Sequence, residues 1–358
     1  MGVFARRAAP WLAVCTAAAL ALLGTGAGSA RAATASPATA GADHTSQTTG
    51  VQLPQDEAPH QTPDEWWYFN GHLCGVDPAG HPHCYGYEYV TFKFLNSGSP
   101  PVYFGNFAIT DQTRGTFQYD VRPDSYPVPS TVDSFSLHSG EWTMSGGSGS
   151  DTLHADLSGY TLDLTTRTTE PAALHGTDGV IPFGPLGTSD YYSWTSLLAT
   201  GTIVDHGVPV RVAGISWMDH QWGAFNLASG AGWDWHSIQL AGGRQYMLYF
   251  IRDKSGAIVQ TLGTQIVDGQ TTNLDPATFS ETTTGSWTSP ATGITYGSGW
   301  RLNVPGGHLT VTPDLLNSEL NLLSTQGVVY WEGDTAVHGV LNGQPVAGVG
   351  YTEINPPG

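Results

Sequence analysis

Gly201-Thr202-Ile203-Val204, a turn at Asp205-His206-Gly207, and Val208-Pro209-Val210 running on to Gly214-Ile215-Ser216-Trp217 form the stretch that decides the fold. Two short runs rich in Ile and Val flank a Gly-containing turn, the pattern of an antiparallel hairpin. The pattern returns near the C-terminus. Gly339-Val340-Leu341 leads into Asn342-Gly343, a strong type I′ turn signal, and Gln344-Pro345-Val346 leads out to Gly348-Val349-Gly350-Tyr351. Pro209 and Pro345 are 136 residues apart, and Trp217 and Tyr351 are 134 apart. The openings echo too: Glu65-Trp66-Trp67-Tyr68 heads one half and Trp233-Asp234-Trp235-His236 the other. The period is too long for a solenoid repeat. It predicts a diverged duplication, with one all-β unit over 61–225 and a second over 226–358.

Outward from these hairpins the texture is uniform. From Asp64 onward short apolar or alternating runs are bounded by Gly, Pro, Asn and Asp, and no stretch carries a helical period. Many short antiparallel strands forming a barrel or sandwich are expected. Trp66–Cys74 with Cys84–Leu95, and Tyr246–Arg252 with Ala257–Leu262, read as further hairpins. Pro123–Asp133 and Glu170–Ser189, rich in Pro, Gly and polar residues, read as long loops.

The N-terminal segment has another character. Arg6-Arg7, an apolar run from Trp11 to Leu23 and Ala30-Arg31-Ala32 read as a secretory signal peptide over 1–32, with Cys15 inside it. The arginine pair permits twin-arginine export, but its flanks fit that signal poorly, so the general secretory route is expected. Residues 33–60, mostly Ala, Thr, Ser, Gly and Pro, read as a disordered linker. Removing the leader's three arginines from twelve basic residues leaves nine against 30 acidic ones, a net charge of −21. Such a surface repels nucleic acid and anionic membranes, and the apolar run is too short for stable membrane insertion. In an oxidising compartment Cys74 and Cys84 are expected to pair, stabilising the fold by roughly 2–3 kcal/mol. The alternative is a metal site of His81, His83 and the two thiols, which export disfavours.

No G-x-S-x-G, H-E-x-x-H, P-loop or dinucleotide fingerprint is present, so ordinary serine hydrolase, zincin and nucleotide chemistry lack support. Neither a cofactor nor a metal is expected. Three clusters carry chemistry instead. In Asp64-Glu65-Trp66-Trp67-Tyr68, alternation puts Glu65 and Trp67 on one face and Trp66 and Tyr68 on the other. A Glu65 facing an aromatic lumen should have a raised pKa; otherwise it is a rim carboxylate bonded to backbone. In Trp217-Met218-Asp219-His220-Gln221-Trp222-Gly223, Asp219 and His220 either orient each other or a ligand, or fix the crossover between halves. In Trp233–Leu240, Asp234, His236, Ile238 and Leu240 share one face. An Asp and a His entering an apolar lumen are paired or used. Tyr330-Trp331-Glu332-Gly333 is a weaker version of the same texture, for which a strand and turn suffice.

With Tyr191-Tyr192-Ser193-Trp194-Thr195, these segments resemble the AttH-like, lipocalin-like proteins related to carotenoid 1,2-hydratase (hydroxyneurosporene synthase), from about Asp64 to Ile354. The resemblance implies two consecutive lipocalin-like antiparallel β-barrels. It also implies a range of activities, from alkene hydration to cyclisation of polyketides.

The first expectation is a cofactor-free enzyme that cyclises, isomerises or hydrates an apolar polyketide or isoprenoid. Asp234, His236, Asp219, His220 and Glu65 are its catalytic candidates. Trp67, Tyr68, Trp222, Trp235 and Tyr246 are its ligand wall. The second is a secreted carrier of an apolar ligand, and the third a carbohydrate-binding module.

Overall fold

The computed structural model describes residues 50–95, 99–122 and 132–358. The expected signal peptide, most of the linker and nearly all of the Pro123–Asp133 loop lie outside them.

The duplication is visible as two large antiparallel sheets. The first sheet runs Thr116–Arg122, Val102–Asp111, Pro82–Phe94, Asp64–Val76, Val208–Gly223, Thr188–Asp205, Tyr160–Thr168, Ser150–Leu157, Trp142–Gly147 and Phe135–Ser139. The second runs Gln270–Asn273, Ile258–Val267, Arg244–Arg252, Gly232–Leu240, Gln344–Asn355, Val328–Leu341, Gly307–Pro313, Trp300–Val304 and Ser280–Thr283. In each, the opening hairpin is hydrogen-bonded to the closing strand of its own half. Asp64–Val76 pairs with Val208–Gly223, as Gly232–Leu240 pairs with Gln344–Asn355. The two hairpins of the opening stretch share their turn chemistry. His206 and Gly207 have φ of 50° and 85°, and Asn342 and Gly343 have 52° and 76°. Two successive left-handed residues match the twist of the flanking strands.

Because side chains alternate, every central strand faces two cores. Trp67, Phe69 and Leu73 point into the first sheet's own core with Trp142 and Met218. Ile238, Leu248, Phe250, Trp300 and Trp331 fill the second. The opposite faces meet in a third core between the halves, with Tyr68, Trp217, Trp235, Tyr249 and Tyr351 at its centre.

Cys74 and Cys84 are register partners and form a disulfide, with Cα atoms 4.1 Å apart. Among the described residues no helix is long and apolar enough to cross a membrane.

Two sequence expectations are corrected. Residues 50–60 are not a disordered tail end: Val51 packs in the first core, and Gln55–Glu57 forms a short 3-10 turn with Glu57 buried. One apolar side chain and one hydrogen-bonded carboxylate anchor a segment whose composition alone promised nothing. Glu170–Ser189 is not one long loop. Ala173–Leu174 and Val180–Pro182 pair with Thr188–Asp205, and Ile181, Phe183 and Leu186 are buried between the halves. Its apolar residues are too sparse to show a period, yet they complete the middle core.

Candidate functional site

The ten candidate residues fall into three separate places, because alternation sends neighbours along a strand to opposite faces.

Glu65, Trp67, His220 and Trp222 lie inside the first half. Glu65 Oε1 is 2.7 Å from His60 Nδ1 and 2.9 Å from His220 Nε2, and Oε2 is 2.7 Å from Lys93 Nζ. His60 stacks on Trp222 at 4.0 Å, and His220 on Trp67 at 4.5 Å. The expectation of a raised pKa for Glu65 is overturned. Burial opposes its charge, but hydrogen bonds from His220 and His60 prevail and hold it at about 2. His60 Nδ1, His220 Nε2 and Glu65 converge as metal ligands would. Lys93 already supplies the cation there, and its ammonium would repel a second one.

Asp234, His236 and Tyr246 lie inside the second half. Asp234 and His236 do not pair with each other. Arg252 bridges Asp234 and Glu281, while His236 sits 2.7 Å from Glu281 Oε2 and 2.8 Å from Thr352 Oγ1. Burial, then the charge of Glu281, raises Asp234 to about 7, and burial lowers His236 to about 4. Like the Glu65 cluster, this network has found its partners within the protein. Such networks rigidify a core.

Tyr68, Asp219 and Trp235 face the seam between the halves. Asp219 and His220, adjacent in sequence, point to opposite faces and do not orient each other. Asp219 accepts from Tyr191 Oη at 2.9 Å, from Trp217 Nε1 at 2.6 Å and from Ser193 Oγ. Trp235 of the second half donates to Tyr191 Oη at 3.2 Å.

Beside these residues stand acids that the sequence reading missed as a group: Glu88 on the Pro82–Phe94 strand, Glu332 on Val328–Leu341 and Glu353 on Gln344–Asn355. Glu332 and Glu353 are register partners, and Glu88 is the register partner of Asn70. Glu88 and Glu332 are fully buried, and Glu353 is less buried as a residue. Tyr68 Oη donates to Glu332 Oε1 at 2.6 Å. Glu332 Oε2, both oxygens of Glu88 and both polar atoms of the Asn70 amide are buried without a hydrogen-bond partner. Buried polar atoms left unpaired are rare in native proteins and point to an absent partner. Burial, reinforced by Glu353, raises the Glu88 and Glu332 carboxyls well above the usual range, and burial raises Glu353 to about 8. Burial thus favours the protonated form of all three acids. Glu332 Oε1 accepts the hydrogen bond of Tyr68, which leaves Oε2 as the oxygen free to carry a proton. The arrangement sets a carboxyl that favours its proton against buried aromatic side chains, the setting of a general acid.

One sequence signal pointed to the trio: an acid at an outward-facing position in a strand otherwise built of Tyr and Val, as in Tyr85-Gly86-Tyr87-Glu88-Tyr89-Val90. What no strand shows is that three such positions meet.

The AttH-like family model matches residues 44–356. The chain belongs to the AttH-like family. A putative AttH from Nitrosomonas europaea is similar in structure, with a TM-score of 0.77, 26% identity, and coverage of 87% of this chain and 98% of that one. Kievitone hydratase from Nectria haematococca superposes with a TM-score of 0.68 at 18% identity, over 87% of this chain and 94% of its own. CghA, in its complex with Sch210972, gives 0.56 at 14% identity, over 83% and 89%. At those two identities the likeness is one of fold. No curated protein matches this AttH-like chain by sequence.

Proposed function

We propose that this AttH-like protein is a cofactor-free enzyme of the hydratase or cyclase type, acting on a small, largely apolar molecule at the seam between its two halves. Glu332 is the proton donor. The observation that carries the reading is the Tyr68–Glu332 pair, with its second carboxyl oxygen buried and unpartnered among aromatic walls. Two neighbours of the same fold bear on it: one is named a hydratase, and the other was crystallised with a small molecule bound.

In a hydration, Glu332 Oε2 gives its proton to an alkene carbon and leaves a carbocation. The faces of Tyr68 and Trp235 stabilise that cation. Water adds to it, and the proton released passes to a carboxylate of the trio. In a cyclisation the same donor polarises the substrate while the walls hold the reactive fold. Asp219, bonded by three donors, positions Tyr191 and Trp235 as part of the wall. Glu65, His220, Asp234 and His236 maintain the two barrel cores. The ligand wall then consists of Tyr68 and Trp235, without Trp67, Trp222 and Tyr246. The carbohydrate reading has less support, because most of the tryptophans that would form a sugar platform are buried; the carrier reading differs from the enzyme reading only in turnover.

The test is turnover of a panel of prenylated phenols, polyenes and linear polyketides, followed by mass. A gain of one water marks hydration, and an isomeric product marks cyclisation. Glu332→Gln should lower turnover about 100-fold or more with binding retained. Full activity in that variant, or binding of every compound without conversion, would overturn the reading.

A further inference from the structure

The seam gathers acids and keeps cations away. Glu88, Glu332, Glu353 and Asp219 cluster there, three of them buried. The basic residues among those described are engaged elsewhere or exposed. Lys93 is bound to Glu65 inside the first half and Arg252 to Asp234 and Glu281 inside the second. Arg114 is held by Asp111 and Asp205, and Arg122 by Asp120 and Asp156. Arg167, Arg211, Lys254 and Arg301 are exposed. Arg244 pairs with Leu240, five residues along the strand from the Trp235 that faces Glu353. Two histidines touch the seam: His72 is taken by Asp334 at 2.6 Å, and His175, held between Ser193 at 2.7 Å and Thr264 at 2.9 Å, is kept neutral by burial.

A group of buried carboxyls with no counter-ion is unfavourable in the empty protein, and the loss is recovered when a cation arrives. Three further features suit a nitrogen cation. Glu88 offers two unpartnered oxygens, and Asn70 beside it offers an unpartnered amide oxygen. The surrounding Tyr68, Trp235, Tyr249 and Tyr351 present ring faces and edges of the kind that hold ammonium groups. Glu353, the register partner of Glu332, adds a third carboxyl at the less buried end of the cluster.

We propose that the seam takes a ligand bearing a basic nitrogen, an alkyl or aralkyl amine, with its ammonium on Glu88 and Asn70 and its apolar part along the aromatic wall. The inference rests on the seam being the ligand site and assigns its substrate class. It separates an anchoring acid, Glu88, from the proton donor, Glu332.

The experiment is calorimetric titration of the full chain with 4-phenylbutylamine and with 4-phenyl-1-butanol, which differ chiefly in the charged head. The amine should bind at least tenfold more tightly at physiological salt. Glu88→Gln should remove that preference and leave the alcohol unchanged. Should Glu88→Gln misfold, Asn70→Leu is the second variant, with the same loss expected. Proton uptake or release, measured for the native chain in two buffers of different ionisation enthalpy, should show release on amine binding as a carboxyl gives up its proton. Equal affinities, or an amine preference that survives both variants, would overturn the proposal, the latter assigning the amine to the acidic surface. Turnover of neutral substrates by the panel assay, without an amine preference, would sink this inference and leave the enzyme reading standing. Tight amine binding without turnover of any panel compound would do the reverse.

Discussion

Glu332 and Glu353 stand directly opposite one another on adjacent antiparallel strands, with both side chains turned toward the seam between the two halves. Like charges so placed destabilise a sheet when both are ionised. The pair is compatible with a folded protein because burial keeps protons on it.

Tyr68 holds Glu332, the proposed proton donor, through one hydrogen bond to its Oε1. Tyr68→Phe removes that bond and keeps the ring against Trp235, which it meets edge-on at 5.5 Å. Turnover should fall about tenfold, the effect of one hydrogen bond of roughly 1.4 kcal/mol. Its pH profile should shift while the KM changes little. Steady-state kinetics of the variant across pH checks this.

Stability should depend on pH in a stated direction. Glu353 is raised from 4.5 to about 8, and Asp219 and Asp234 from 3.8 to about 7. A raised group stabilises the fold below its unfolded pKa, and the contribution is lost as pH rises through the folded value. His60, lifted from 6.5 to about 9 by Asp56 and Glu65 against burial, acts in the same direction. His220 and His236, lowered by burial from 6.5 to about 4, oppose it only below 6.5. The Tm should therefore fall between about pH 6.5 and about pH 9, and Glu353→Gln should flatten the fall. Thermal scans of both proteins across that window decide it.

Lys93 is buried against Glu65 and also bonds the backbone oxygen of His60. Lys93→Met leaves a buried carboxylate short of its cation and should cost roughly 3–5 kcal/mol. Adding Glu65→Gln should recover a large part of that loss, since both charges are then gone. Denaturant titration of the two single variants and the double variant gives the coupling.

Gly86 lies on the seam face of its strand, where a Cβ would clash with the carboxylate of Asp334 in the other half. Gly86→Ala should separate the halves locally and break the His72–Asp334 pair. A loss of roughly 1–3 kcal/mol is expected, the usual range for overpacking. Hydrogen exchange should quicken at seam strands and remain slow in the two barrel cores.

The sequence by itself determined the all-β class, the four hairpins, the organisation into two antiparallel sheets, and the disulfide. Each of these is local or periodic: alternation, turn residues that accept positive φ, a spacing repeated once. It also determined which candidates share a face, since Asp234 and His236 must alternate with Trp235. The candidate site was only half legible, because a strand's two faces look alike in one dimension. Nothing in the sequence showed that Glu65 and Asp234 pair with Lys93 and Arg252, 28 and 18 residues away in the chain. Glu88, Glu332 and Glu353 lie on three strands from two halves, and only the packing of one sheet against the other brings them together. Tertiary structure decided the make-up of that cluster because burial, and the lack of a counter-ion, belong to that packing and to no segment alone.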